Sequence, residues 1–168
     1  HNGGYDSLKE KIEIKEVIED SNQSVHVDYP FYLLLSERES KDTNDLSLIS
    51  YFTYDHLTYL FMGDASKQIE KQLMTTYDLK ADVIKVGHHG SNTSSDPDFL
   101  DSLDCKVALI SCGYKNKYGH PSVETLKTLE TLHINTLCTS DCGSIAMYSL
   151  FHFSFVVTND GMFGIIWT

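Results

Sequence analysis

Two short apolar runs in this chain stop at glycine and then present residues that can do chemistry. Tyr59-Leu60-Phe61-Met62-Gly63 delivers Asp64, and Asp82-Val83-Ile84-Lys85-Val86-Gly87 delivers His88 and His89. Apolar runs of this length, rich in Val, Ile and aromatics, read as buried strands. Glycine lets the backbone turn, so the next side chain stands at the strand's end rather than in the sheet. One helix-sized segment separates the two runs, so neighbouring strands can bring a carboxylate and two imidazoles to one edge. That donor set suits a zinc-, manganese- or iron-type site. His120, ahead of Pro121, adds an imidazole at the entry to a later helix. Taken singly, each has a structural reading: Gly-Asp before a helix is commonly a turn or a cap, paired histidines can be half-buried, and His-Pro can simply open a helix. Three such features, each at a strand end or a helix start, point to a site.

The elements that must position these residues follow from the apolar pattern. Strands are expected at Ile12 to Ile18, Phe31 to Leu35, Leu46 to Tyr54, Leu57 to Met62, Val83 to Val86, Val107 to Ser111, Thr136 to Cys138, Ser144 to Tyr148, Phe151 to Val157 and Met162 to Trp167. Asp55-His56 turns one hairpin and Asn159-Asp160-Gly161 another. A short helix is expected near Tyr5 to Lys11. Ser66 to Tyr77 reads as a helix with Ile69, Leu73, Met74 and Tyr77 on one stripe. Asp96-Pro97 opens a helix through Leu103, and a third helix after His120-Pro121 carries the stripe Val123, Leu126, Leu129, Leu132. Ser91 to Ser95 is a loop of hydroxyl residues and Asn, and Gly113 to Gly119 is a polar loop. The order is strand-rich, with helices interspersed after about residue 65. No repeat, low-complexity tract or internal boundary appears, so residues 1–168 read as a single α+β domain.

The 168 residues are enough for a real core, and an apolar fraction of 41% is ordinary for a globular chain. No run of about 18 apolar residues occurs that could span a membrane. A first residue His1, rather than Met, and polar neighbours speak against a signal peptide and for a fragment or processed product. The net charge of −11 argues against a large nucleic-acid footprint. Cys105, Cys112, Cys138 and Cys142 show no paired zinc-ribbon spacing and read as free thiols in or near strands, with a disulfide open if the chain works outside the cell.

Beyond these readings the chain resembles a known family. Met62-Gly63-Asp64 and Val86-Gly87-His88-His89-Gly90-Ser91 look like the fourth and fifth motifs of the metallo-β-lactamase fold. With Asn44-Asp45-Leu46-Ser47-Leu48, Asn116-Lys117-Tyr118-Gly119-His120-Pro121-Ser122 and Thr139-Ser140-Asp141-Cys142-Gly143, in this order, the pattern resembles the soluble domain of ComEC-type DNA-internalisation competence proteins, from about residue 44 to 148. His1-Asn2-Gly3-Gly4-Tyr5 looks like the tail of that superfamily's histidine-rich metal motif. The resemblance therefore implies a metallo-β-lactamase-like αββα sandwich that lacks its first strands here.

It also implies chemistry. Asp64 would bridge two divalent metal ions, Mn2+ or Zn2+. His89 and His1 would bind the second ion, and His88 would contact the scissile phosphate, with the roles of His88 and His89 open to exchange. His120 would approach the substrate or its leaving group. A pair of dications supplies a nucleophile at neutral pH and stabilises charge developing on a phosphoryl group. Ser91, Asn92, Thr93 and Ser94 offer neutral hydrogen-bond donors. Tyr114, Lys115, Lys117 and Tyr118 pair bases with aromatics as a single-strand platform, so Ser91, Asn116 and Tyr118 are candidate substrate contacts. Asn44 stands where most of the superfamily has a first-metal histidine. An amide oxygen is the harder donor and favours manganese over zinc. The expected function is metal-dependent hydrolysis of phosphodiesters in single-stranded DNA, on the cell surface or extracellular side of a bacterial membrane protein with a channel region. The alternatives are a cytoplasmic stand-alone phosphodiesterase on a small phosphodiester such as a phosphorylcholine ester, and a metal-free binding domain of the same fold.

Overall fold

A computed structural model describes residues 8–13, 27–34, 40–150, 153–161 and 163–166. His1 and the strand expected over residues 14–18 lie outside the described residues. Of the first expected helix, the turn closed by Ile12 N–H on Leu8 O is present.

Among the described residues nine strands form two sheets. The larger has the order β1 (Phe31–Leu34), β2 (Ile49–Tyr54), β3 (Leu57–Phe61), β4 (Val83–Lys85), β5 (Val107–Ile110), β6 (Asn135–Cys138). β1, β2 and β3 run antiparallel; β3 through β6 run parallel. Parallel neighbours need a crossover, and each is a helix: α1 (Lys67–Thr76), α2 (Pro97–Leu103) and α3 (Val123–Thr131). The second sheet is an antiparallel meander of β7 (Ile145–Leu150), β8 (Phe153–Thr158) and β9 (Phe163–Ile166).

Period-two alternation along the parallel strands explains the layers. Leu60, Ile84, Ala108 and Cys138 face one way, onto Leu73 of α1, Phe99 of α2 and Leu129 of α3. Tyr59, Val83, Val107 and Leu137 face the other way, onto Ile166 of β9 and Met147 of β7. The described residues thus stack as helices, large sheet, small sheet. Each fully buried Leu or Ile contributes about 1.5–3 kcal/mol relative to exposure. The tip of the β2–β3 hairpin is tied to the small sheet: His56 Nε2 lies 3.2 Å from Ser154 Oγ, and Ser149 Oγ donates to the Asp55 carboxylate.

Three expectations need correction. Residues 46–48 do not begin β2. Thr43–Leu46 forms a 3-10 turn instead, started by the Asp42 carboxylate accepting from Asn44 N–H at 2.9 Å. On α3 the buried residues are Thr125 and Leu129, while Val123 is 77% exposed. The helix docks through the Thr125 hydroxyl, which donates to Ser91 O, and this rotates the expected stripe. On α1, Ile69 and Leu73 are buried as expected, but the third buried place goes to Glu70, and Met74 and Tyr77 stay at the rim. A short helix not expected from sequence, α4 (Thr139–Cys142), follows β6.

Candidate active site

The carboxyl ends of β3, β4 and β5 lie side by side, because these strands are in-register parallel neighbours. In open parallel sheets this edge gathers the loops that bind ligands.

β3 ends in a tight turn. Gly63 has φ +58, and a Cβ there would stand 2.6 Å from Ser47 Cβ. The 3-10 turn before β2 is therefore pressed against Gly63. Ser47 Oγ accepts from Asp64 N–H at 3.0 Å, and Asp45 Oδ1 from Ser66 N–H at 3.3 Å. Asn44 lies half-buried in that same turn, beside the segment that fixes Asp64.

β4 ends in the turn Gly87–Gly90. His88 N–H donates to Gly63 O at 3.1 Å, and so does Lys85 Nζ, at 3.1 Å, which ties this turn to the Asp64 turn. Burial pulls the Lys85 ammonium below its usual range, and Asp64 partly opposes that. Gly87 has no room for a side chain, since a Cβ would meet Ala65 O at 2.7 Å. His88 and His89 both sit in the left-handed region, with φ 47 and 55. Non-glycine residues rarely adopt this conformation, and it clusters at functional sites.

Their rings are held differently. His89 Nδ1 lies 2.7 Å from Ser111 O, just past β5. A carbonyl only accepts, so Nδ1 carries the proton and Nε2 is left as the donor atom toward a cation. Nε2 stands 3.6 Å from Asp64 Oδ1. A ring N–H given to a carbonyl fixes the tautomer and orientation of an imidazole, as it does for metal-ligating histidines. Two ligands of one tetrahedral ion stand roughly 3.4 Å apart, close to the observed separation. A proton on Nε2, making an imidazolium–carboxylate pair, is the other cation that satisfies it. His88 Nδ1 instead pairs with Thr93 Oγ1 at 3.2 Å. Among the described residues no three His, Cys, Asp or Glu side chains are grouped to hold a metal, and His1, the remaining expected ligand, lies outside them.

His120 joins from the loop after β5. Asn116 accepts from His120 N–H at 2.9 Å and donates to Gly113 O at 3.0 Å and His120 O at 2.6 Å, which closes the loop. The Tyr118 ring stacks on His120 at 5.9 Å between centroids, and the His88 ring lies 5.8 Å from that of His120, tilted to it. Burial holds the His120 imidazole below its ordinary range, helped by the neighbouring His88 and His89 rings. Ser122 N–H on Gly90 O, at 2.8 Å, pins this loop to the histidine turn.

The structure therefore brings Asp64, His88, His89, His120 and Tyr118 together. Asn116 serves as the clasp of the loop. Ser91 is buried, and its hydroxyl is engaged with Thr93 inside its own loop. Tyr114 and Tyr118 are exposed, with Lys115 Nζ 5.2 Å from the Tyr114 centroid and Lys117 Nζ 4.9 Å from that of Tyr118. Sequence reasoning missed the support from Ser47, Lys85 and the Ser111 carbonyl, whereas Thr93, expected as a hydrogen-bond donor, is the partner of His88. A lysine inside the otherwise apolar run Val83 to Val86 was the visible sign, since parallel strands are usually apolar on both faces.

No protein-family model matches the chain. Among curated proteins it is 35% identical over 120 residues to "ComE operon protein 3" of Bacillus subtilis, covering 70% of this chain and 16% of that protein. It is 34% identical over 121 residues to "Competence protein ComA" of Neisseria gonorrhoeae, covering 71% and 17%. A shorter match, 37% over 70 residues, covers 42% of the chain and 9% of "Recombination protein 2" of Haemophilus influenzae. The chain spans about a sixth of the length of the first two relatives. Over about 70% of its length this chain is related to one segment of bacterial competence proteins.

Proposed function

We propose that the chain is a metal-dependent phosphodiester hydrolase of metallo-β-lactamase-like fold, working on single-stranded DNA as part of a larger DNA-uptake protein on the outer side of a bacterial membrane. The observation that carries this reading is the His89–Asp64 pair, with Nδ1 committed to Ser111 O and Nε2 facing the carboxylate at 3.6 Å. Asp64 and His89 would hold divalent metal, together with His1. The metal, when bound, would supply a nucleophile and stabilise phosphoryl charge. His88, anchored on Thr93, would orient a phosphate oxygen. His120, its imidazole held below the ordinary range by burial and its two imidazole neighbours, would serve as a proton acceptor beside the phosphate. Tyr118 and Tyr114, flanked by lysines, would stack unpaired bases. The competence names of the relatives favour DNA. The net charge of −11 is the one observation that favours a small phosphodiester instead.

The test is cleavage of a labelled single strand and of a small chromogenic phosphodiester, each with added Mn2+ or Zn2+. The proposal expects Mn2+-dependent cutting of the strand, weakened by salt as counterion release requires. Turnover confined to the small diester supports the alternative substrate. No turnover of either, with no metal bound, supports the metal-free binding domain.

A further inference from the structure

We propose that Cys112 and Cys138 form a disulfide site that locks the wall behind His89. Their sulfurs lie 3.2 Å apart. Cys138 ends β6 and Cys112 follows β5, and the two strand ends are already clasped. Cys112 N–H donates to Thr139 Oγ1 at 2.9 Å, and that hydroxyl donates to Cys112 O at 2.9 Å. Closing the sulfurs to the bonded distance of about 2.05 Å requires an approach of roughly 1 Å from their present 3.2 Å. The other cysteines do not compete. Cys105 is packed against the helix-side core, and burial pushes its thiol up to about 12. The Cys142 thiol donates to Cys138 O at 3.1 Å, toward the backbone rather than the neighbouring sulfur.

The oxidant is a small-molecule disulfide such as oxidised glutathione. Cys112 is half-buried and Cys138 buried, so exchange begins at Cys112. Its thiolate attacks one glutathione sulfur, forming a mixed disulfide and expelling one glutathione thiolate. The Cys138 thiolate then attacks the Cys112 sulfur and expels the second. The two protein thiols lose two electrons and two protons, and one glutathione disulfide becomes two thiols. Ser111, whose carbonyl holds His89, precedes Cys112 directly, so the bond fixes that carbonyl's position. The inference is independent of any hydrolase activity.

The folded full chain is incubated with oxidised glutathione, quenched in acid, alkylated, digested and mapped by mass spectrometry. The expected result is a peptide pair joined Cys112 to Cys138, with Cys105 and Cys142 alkylated. Cys138→Ser should trap glutathione on Cys112. A persistent Cys112–glutathione adduct in the unsubstituted chain, a Cys138–Cys142 bridge, or four alkylated cysteines each overturn the proposal.

Discussion

His89 donates its Nδ1 proton to Ser111 O and thereby leaves the Nε2 lone pair facing Asp64 at 3.6 Å. His88, one residue earlier, is tied through Nδ1 to the Thr93 hydroxyl. The two adjacent imidazoles should therefore fail differently when removed. His89→Ala should lose bound metal, and His88→Ala should keep metal but lose rate. Metal content measured on both variants decides, and equal loss in both would contradict the division. Asp64→Asn should leave the fold intact, since its N–H bond to Ser47 is made by the backbone. Removing the carboxylate charge should lower turnover by roughly two orders of magnitude or more. Near-normal turnover with full metal occupancy would end the ligand assignment.

Asp64 and the histidines come from different turns, and those turns are held by one another. Gly87 faces the carbonyl of Ala65, and Gly90, with φ +78, lies against Pro121. A methyl at residue 87 must displace a backbone carbonyl of the Asp64 turn. Gly87→Ala should therefore cost about 1–3 kcal/mol of stability. It should also change activity more than that loss explains, because the turns carrying Asp64 and the histidine pair both move. Urea unfolding beside a turnover assay checks this; an unchanged unfolding midpoint would show that the turns are looser than their contacts imply. One amide, that of Asn116, clasps the loop carrying His120. Asn116→Ala removes its three hydrogen bonds and should lower turnover while barely changing the unfolding midpoint, since the loop is exposed at Tyr114 and Tyr118.

Across the molecule, Glu70 couples the helix layer to the site loop. Its carboxylate is almost wholly buried and accepts from Ser95 N–H at 2.8 Å and Asp96 N–H at 2.7 Å. Burial outweighs those bonds and raises its pKa from 4.5 to about 7. An acid with a higher pKa folded than unfolded holds its proton more tightly in the folded state. Its contribution is fully present below the unfolded value and is lost as pH rises through the folded one. Stability should therefore fall between about pH 4.5 and 7, by of order 2–3 kcal/mol. Glu70→Gln should abolish that decline. It should also cost about 1–3 kcal/mol at pH 5, because the amide nitrogen would face a backbone N–H where an oxygen accepted. Urea unfolding at pH 5 and pH 8 on both proteins tests the sign; a chain equally stable at both, before and after substitution, would show that Glu70 stays ionised.

The local pattern of residues 57–138 already determined the parallel strands, the crossover helices and the arrival of Asp64, His88 and His89 at one edge. Apolar runs of strand length that stop at glycine leave the chain few other options, and βαβ connection does the rest. Capping was equally local: Asp96 before Pro97 and Ser122 before Val123 start their helices as the residue types require. What the tertiary structure decided were contacts between segments distant in sequence. Nothing near Ser47 reveals that its hydroxyl meets Asp64, nothing near Ser111 reveals that its carbonyl orients His89, and nothing on α1 reveals that Glu70 is buried among the backbone donors of a loop 25 residues away. The faces of α1 and α3 went the same way. Helical period identifies a stripe, but the bond Thr125 donates to Ser91 O and the bonds Glu70 accepts from Ser95 N–H and Asp96 N–H place a polar residue on the inner side of each helix.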